Sequence, residues 1–350
     1  KARMNCSKTP GFVLSGVSND AGKCQFLFLL FLTLYLLGLL GNLILLLAII
    51  TDIRLHTPMY FFLSQLSFVD LCFTTTTTPK MLGDLWTRSG SISFSGCLTQ
   101  LYFFAVFADM DNLLLMVMAI DRYAAICHPL WYPLLMTPCR CGVLVGVSWG
   151  VAHSVSLIHT ILLSQLSFYI NQDIPHFFCD FGPLLWLSCS DTHLNEDLMM
   201  ALAGFLGMMP LLCIISSYAH IFYAVLRVPS AQGKRKALAT CSSHISMVIL
   251  FYSTLFATYL KPPSTSHSSG ELVAAVTYTL VTPTLNPFIY SLRNKDVKSS
   301  LKMILEQLKA QTAYSTDLGG VSLRYSDWIS LEHLHLAHAW PRLPSCIMYN

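Results

Sequence analysis

Apolar residues fill this chain in long blocks rather than at short alternating intervals. Blocks at about 25–50, 97–126, 142–163, 198–226, 237–260 and 272–292 each match a helix crossing a bilayer, which needs about 20 apolar residues. A further block opens at Pro58, a permitted first-turn position, carries Asp70 in its middle and is expected to end near Pro79-Lys80. Its run Thr74 to Thr78 can stay helical, because each hydroxyl can bond back to the preceding turn. The pattern predicts an all-α membrane protein with seven transmembrane helices. A short amphipathic helix from Lys295 to about Leu308 should follow on the inner leaflet.

Composition supports this reading. The chain has 350 residues, 54% hydrophobic and 11% charged, against about 25% charged in soluble domains. The net charge of +3 is small, and Lys234, Arg235 and Lys236 form the densest basic cluster. That cluster is too short for a nucleic-acid face and suits a cytoplasmic loop. Arg54, Arg122, Arg140, Arg227, Lys234–Lys236, Arg293, Lys295 and Lys298 share one side, while the opposite loops carry Arg88 and Lys261. The positive-inside rule makes the basic side cytoplasmic, although Lys1, Arg3, Lys8 and Lys23 count against it. The expected organisation is an extracellular segment at 1–24, the helical domain at 25–308 and a disordered cytoplasmic tail at 309–350. Asn5-Cys6-Ser7 is a glycosylation sequon, which suits an outside terminus.

Helix three ends in Ala119-Ile120-Asp121-Arg122-Tyr123-Ala124-Ala125-Ile126-Cys127-His128-Pro129. A lone Asp-Arg-Tyr there could serve as an interfacial anchor, with the Arg snorkelling to headgroups. The surrounding residues resemble the third-helix signature of the odorant receptors, within the rhodopsin-like G protein-coupled receptors. Leu40-Gly41-Asn42 resembles the family too, as do Pro58 through Asp70, Lys236 through His244, and Pro283 through Lys295. The resemblance spans about 25–305 and is similar to the larger, terrestrial class. It implies a receptor on the plasma membrane that binds a small volatile odorant. It also implies that the receptor activates a stimulatory, olfactory-type heterotrimeric G protein, raising cyclic AMP. No cofactor and no enzymatic chemistry are implied. A disulfide Cys97–Cys179 follows from the resemblance alone. Cys189 is expected to be an odd thiol, because the position of its usual family partner reads Tyr169. Lys234 occupies a position where many rhodopsin-like receptors place an acid to hold the helix-three Arg, so no inner ionic lock is expected.

Three constellations carry the expected mechanism. Helical spacing groups Phe104, Ala105, Ala108 and Asp109 on helix three. Leu202 and Leu206 on helix five, Tyr252, Leu255, Phe256 and Tyr259 on helix six, and Tyr278 and Thr279 on helix seven join them at matching depth. Together they predict a small, mostly apolar ligand pocket; the bland reading of each is helix packing. Asp70, Asp111 and Asn286 form a polar core, read either as a candidate sodium site by resemblance or as a proton-sharing node. Asn42 should also face the bundle, because an amide in hydrocarbon needs a partner. Asp121, Arg122, Tyr123, Tyr218, His244, Asn286, Pro287 and Tyr290 form the switch and coupling face by resemblance. A secondary transporter is the rival class, but no internal repeat is visible. A receptor impaired in its loop and tail is a third reading.

Overall fold

A computed structural model describes residues 6–7, 9–17, 20–169, 173–259, 269–293, 296–304 and 306. The chain forms α1 (Ala21–Thr51), α2 (Pro58–Thr87), α3 (Phe94–Cys127), α4 (Pro138–Ser164), α5 (His193–Leu226) and α6 (Ala231–Tyr259). A seventh rod, α7, runs through Ser269–Val276, a π-helical turn at Thr277–Val281, and Thr282–Arg293. Among the described residues six of these rods are long and apolar enough to cross a membrane. α2 is as long as its neighbours and lies against both α1 and α3. Asp70, Lys80 and Asp84 within it lower its apolar character. The seven rods form one helical bundle.

α2 continues past Pro79 to Thr87 instead of ending near Lys80. A proline costs a helix one backbone bond and crowds the preceding turn, yet here the threonines bond back, Thr74 to Asp70 O at 2.8 Å and Thr76 to Cys72 O at 2.8 Å. The amide of Gln100 on α3 then donates to Thr76 O at 3.1 Å, and the helix persists. The helix starts are capped as their sequences allow. Asp20 accepts from Gly22 N at 2.9 Å, and Ser93 accepts from Gly96 N at 3.1 Å.

α1 and α7 approach closely. A Cβ on Gly38 would come within 2.7 Å of Thr284 Oγ1, and one on Gly41 within 3.0 Å of Pro287 Cγ. Two glycines on one face therefore let the rods touch. Asn42 uses that proximity, donating to Gly38 O and to Pro283 O, each at 3.1 Å. It faces the bundle, as expected. Outward, Leu36, Leu40, Leu43 and Leu47 of α1, and Leu212, Ile215 and Phe222 of α5, stay exposed. Apolar surface on that scale suits lipid contact.

The outer end carries strands that the apolar pattern did not reveal: β1 (Cys6–Ser7), β2 (Gly11–Leu14), β3 (Ser91–Ser93), β4 (Phe168–Tyr169) and β5 (Asp173–Ile174). β1 pairs with β4, and β2 lies between β3 and β5. The N-terminal segment is thereby woven into the loop between α4 and α5, and Phe12, Leu14, Phe168 and Ile174 bury there. Cys97 and Cys179 are disulfide-bonded, with Cα atoms 5.6 Å apart. Cys189 is not an odd thiol: it is disulfide-bonded as well.

At the inner end Asp52 holds Arg54 at 2.7 Å. The guanidinium beside it draws the Asp52 carboxyl down to about 2. Residues 296–304 are helical, with Val297 and Ser300 fully buried and Asp296 accepting from Tyr60 OH at 3.4 Å. The expected amphipathic helix is present over those residues. Asn5, the loop at 260–268 and the tail beyond 306 lie outside the described residues.

Candidate functional site

The site is a column of side chains down the axis of the bundle. At the top, Phe104 of α3 is buried among rings. Its centroid lies 4.7 Å from Phe178 of the outer loop, 5.2 Å from Phe73 of α2 and 6.3 Å from Tyr278 of α7. Tyr278 also meets Phe251 at 5.7 Å and Tyr259 at 6.4 Å, and Tyr252 meets Phe256 at 5.8 Å. Rings from four helices and the outer loop therefore converge, at edge-on and tilted angles that suit their quadrupoles.

Of the expected lining, Phe104, Leu206, Tyr252, Tyr278 and Thr279 are buried, whereas Ala105, Ala108, Asp109, Leu202 and Leu255 are partly buried. Phe256 and Tyr259 are 36% and 43% exposed, at the margin of the group. Thr279 spends its hydroxyl on its own helix, donating to Ala275 O at 2.9 Å. Asp109 has no hydrogen-bond partner among the described residues. A separate cavity of about 390 Å³ lies under the N-terminal strand, lined by Val17, Met81, Asp84, Leu85 and Phe177 among others. It does not include the expected lining residues.

Directly below the rings is a junction centred on Asn112, which the spacing argument left out of the site. Its amide donates to Leu206 O on α5 at 2.6 Å, and its oxygen accepts from the Tyr252 hydroxyl on α6. One buried amide thus ties three helices. The signal was present in the sequence, since an amide beside Asp111 in an apolar run must find partners; which partners it found depended on packing.

The next layer is the polar core. Asn286 donates to both carboxylate oxygens of Asp70, at 2.8 and 2.7 Å. Asp70, Asp111 and Asn286 are all buried, and among the described residues Asp111 Oδ1 and Asn286 Oδ1 have no hydrogen-bond partner. Oxygens of this kind are hard donors that fit a sodium-like cation; a shared proton would also relieve the paired carboxylates.

The inner face closes the column. The Arg122 guanidinium forms an ion pair with Asp121 Oδ2 at 3.2 Å, and Tyr132 donates to Asp121 Oδ1 at 2.8 Å. Burial and the nearby carboxylate raise the Tyr132 phenol, so it remains a donor. Arg122 is thus held by its own neighbour in α3, and Lys234 contributes no acid to a lock. His244 of α6 uses both ring nitrogens, Nδ1 with Tyr218 OH at 2.7 Å and Nε2 with Leu115 O at 3.0 Å. It clasps α6 to α5 and α3. Tyr290 is buried, its hydroxyl without a hydrogen-bond partner among the described residues, and Pro287 packs against Gly41. Tyr123 points elsewhere, pairing with His128 Nε2 at 3.1 Å and its ring lying 5.7 Å from His220. The spacing argument did not identify Tyr132.

A bundle of seven rods with a stapled outer roof, an axial polar core and a buried Asp-Arg at its inner end defines a polytopic helical membrane protein of the receptor type. A family model described as olfactory receptor matches residues 31–308. Olfactory receptor 1f45 of Rattus norvegicus is 54% identical over 301 residues, 86% of this chain and 96% of its own. Olfactory receptor 1G1 of Gorilla gorilla gorilla is 52% identical over the same shares, and olfactory receptor 1N1 of Homo sapiens 51% identical over 300 residues. The chain belongs to the olfactory receptor family, whose members are receptors and not enzymes.

Proposed function

We propose that this receptor binds small volatile organic molecules in the outer half of the bundle and activates a stimulatory, olfactory-type G protein, raising cyclic AMP. The observation that carries the reading is the Asn112 junction, which joins α3, α5 and α6 immediately beneath the ring cluster. A ligand that changes the spacing of Phe104, Tyr252 and Tyr278 must act on that junction. α6 carries the change to His244, whose two bonds hold its inner half against α3 and α5. A ligand shifts such an equilibrium only by its differential affinity for the two arrangements. An apolar guest gains by burial, and one or two polar groups orient it.

At the inner face, release of the His244 clasp would let the inner half of α6 move away from α3 and α5 and open the Arg122 end of the bundle to the terminal helix of a G-protein alpha subunit. Asp70, Asp111 and Asn286 lie between the two ends and would couple them, with either a cation or a proton in the core. The proposed placement is the plasma membrane with the N-terminus outside, as the distribution of basic residues supports.

The test is a cyclic-AMP assay in cells displaying an epitope-tagged receptor, challenged with a panel of alcohols, aldehydes, ketones, esters and amines. At least one volatile should raise cyclic AMP in a saturable manner when the olfactory-type alpha subunit is present. A receptor that reaches the surface yet transports a panel member without any nucleotide-dependent signal would overturn the proposal.

A further inference from the structure

The chain has twelve cysteines. Cys97 and Cys179 bond to each other, while Cys24, Cys72, Cys127, Cys141, Cys213 and Cys241 are in no disulfide. Cys139 and Cys189 are each in a disulfide. They cannot be joined to each other. Cys139 stands at the start of α4 and Cys189 follows the far end of that helix, which at 1.5 Å per residue over 27 residues spans about 40 Å. A disulfide tolerates Cα atoms no more than about 7 Å apart. Cys6 and Cys346 remain as partners. Of these two, Cys346 lies outside the described residues.

The outer end supplies the second argument. Cys6 lies in β1, which runs antiparallel to β4 with Cys6 opposite Tyr169. β4 also bridges to the segment that carries Cys189: Phe168 pairs with Ser188, and Cys189 N donates to Ser167 O at 2.9 Å. The backbone therefore gathers both cysteines around one two-residue strand. We propose that Cys6 and Cys189 form a disulfide that tethers the N-terminal segment to the outer loop. The bond closes a circuit from the N-terminal segment, across α1 to α4, to the loop that roofs the bundle. It fixes β1 beside β4 and so limits how far the neighbouring β2 can leave β3 and β5.

The chemistry balances with a protein disulfide of the oxidising secretory compartment. One thiolate attacks that disulfide, the second displaces the carrier, and the carrier leaves as a dithiol with the two electrons and two protons. Cys189 is partly exposed, so a reagent can reach its thiol when the bond is missing.

The experiment is a peptide map of the full-length receptor from mammalian cells. Free thiols are blocked with N-ethylmaleimide in denaturant, any Asn5 glycan is removed enzymatically, and the protein is cut with chymotrypsin without reduction. The expected product is one linked pair containing Cys6 and Cys189, split into two by reductant. Cys189 carrying maleimide, or linked to any other cysteine, overturns the proposal. A second measurement uses a membrane-impermeant biotin maleimide on intact cells, normalised to surface receptor. Cys6→Ser should raise labelling several-fold over the parent, and Cys6→Ser/Cys189→Ser should abolish that gain. Cys346→Ser should match the parent. Equal labelling of Cys6→Ser and the parent, or a gain in Cys346→Ser, contradicts it. The peptide map needs no variant, so a folding failure in either mutant does not protect the proposal.

Discussion

Tyr252 of α6 donates its hydroxyl to the amide oxygen of Asn112 on α3, and the same amide donates onward to Leu206 O on α5 at 2.6 Å. All three groups are buried. Removing one partner of a buried hydrogen bond leaves the other unsatisfied, which costs about 1–3 kcal/mol. Tyr252→Phe should therefore reach the surface but need roughly tenfold more odorant for a half-maximal cyclic-AMP response, since about 1.4 kcal/mol corresponds to a factor of ten. An unchanged dose–response curve would show that the junction does not couple the pocket to α6.

Arg122 tests the inner face. It lies at the end of α3 with Asp121 at 3.2 Å, well below the ring cluster. Arg122→Ala should preserve surface display and abolish odorant-evoked cyclic AMP. A normal response in the mutant would remove Arg122 from the coupling role.

Gln100 is a positioning residue under the roof. Its nitrogen donates to Thr76 O at 3.1 Å, and its oxygen accepts from Cys179 N at 3.0 Å. It joins α2, α3 and the loop beside the Cys97–Cys179 staple. Cys97→Ser or Cys179→Ser should prevent surface expression, because a native disulfide typically contributes about 2–5 kcal/mol. Gln100→Ala should be milder, about 2 kcal/mol for two net bonds, and visible as a thermal shift in detergent. A shift as large as that of Cys97→Ser would mean that Gln100 supports more than these two contacts.

Asp180 caps the short helix Phe181–Trp186, accepting from Phe181 N at 2.8 Å. Burial pushes its carboxyl up to about 6, with its bond to Tyr259 opposing. The folded value lies above the unfolded one, so the stabilisation is present in acid and fades as pH rises through about 6. Melting of the purified receptor should gain stability between pH 7 and pH 5. Asp180→Asn should flatten that gain; an equal pH dependence in the variant would assign it to another group.

Asp109 bears on ligand chemistry. It is a partly buried carboxylate beside the pocket lining with no hydrogen-bond partner among the described residues. Burial without a counter-charge favours a neutral hydrogen-bonding partner over an ammonium guest. Asp109→Asn should keep responses to alcohols, aldehydes or ketones. A response restricted to amines, and lost in Asp109→Asn, would show that the carboxylate works as an ion.

The membrane class, the rods and their order were determined by the sequence alone, because a bilayer demands long apolar helices and little else satisfies the backbone there. Asp70, Asn42 and Asn286 were legible for the same reason: a polar group in hydrocarbon must turn inward. Partner choice was not legible. Asn112, Tyr132 and Gln100 find their mates 11 to 140 residues away in sequence, across helix faces whose rotation only packing sets. Pro79 read as a stop, since it removes one helical N–H, and the contact that Gln100 of α3 makes with Thr76 O just before it arises only from packing. The short strands at the outer end carry too few residues for a period, and their pairing between the N-terminus and the loop exists only in the folded chain. Cys189 read as an odd thiol for that reason: its bond depends on which segments the roof brings together, and spacing along the chain holds no record of that.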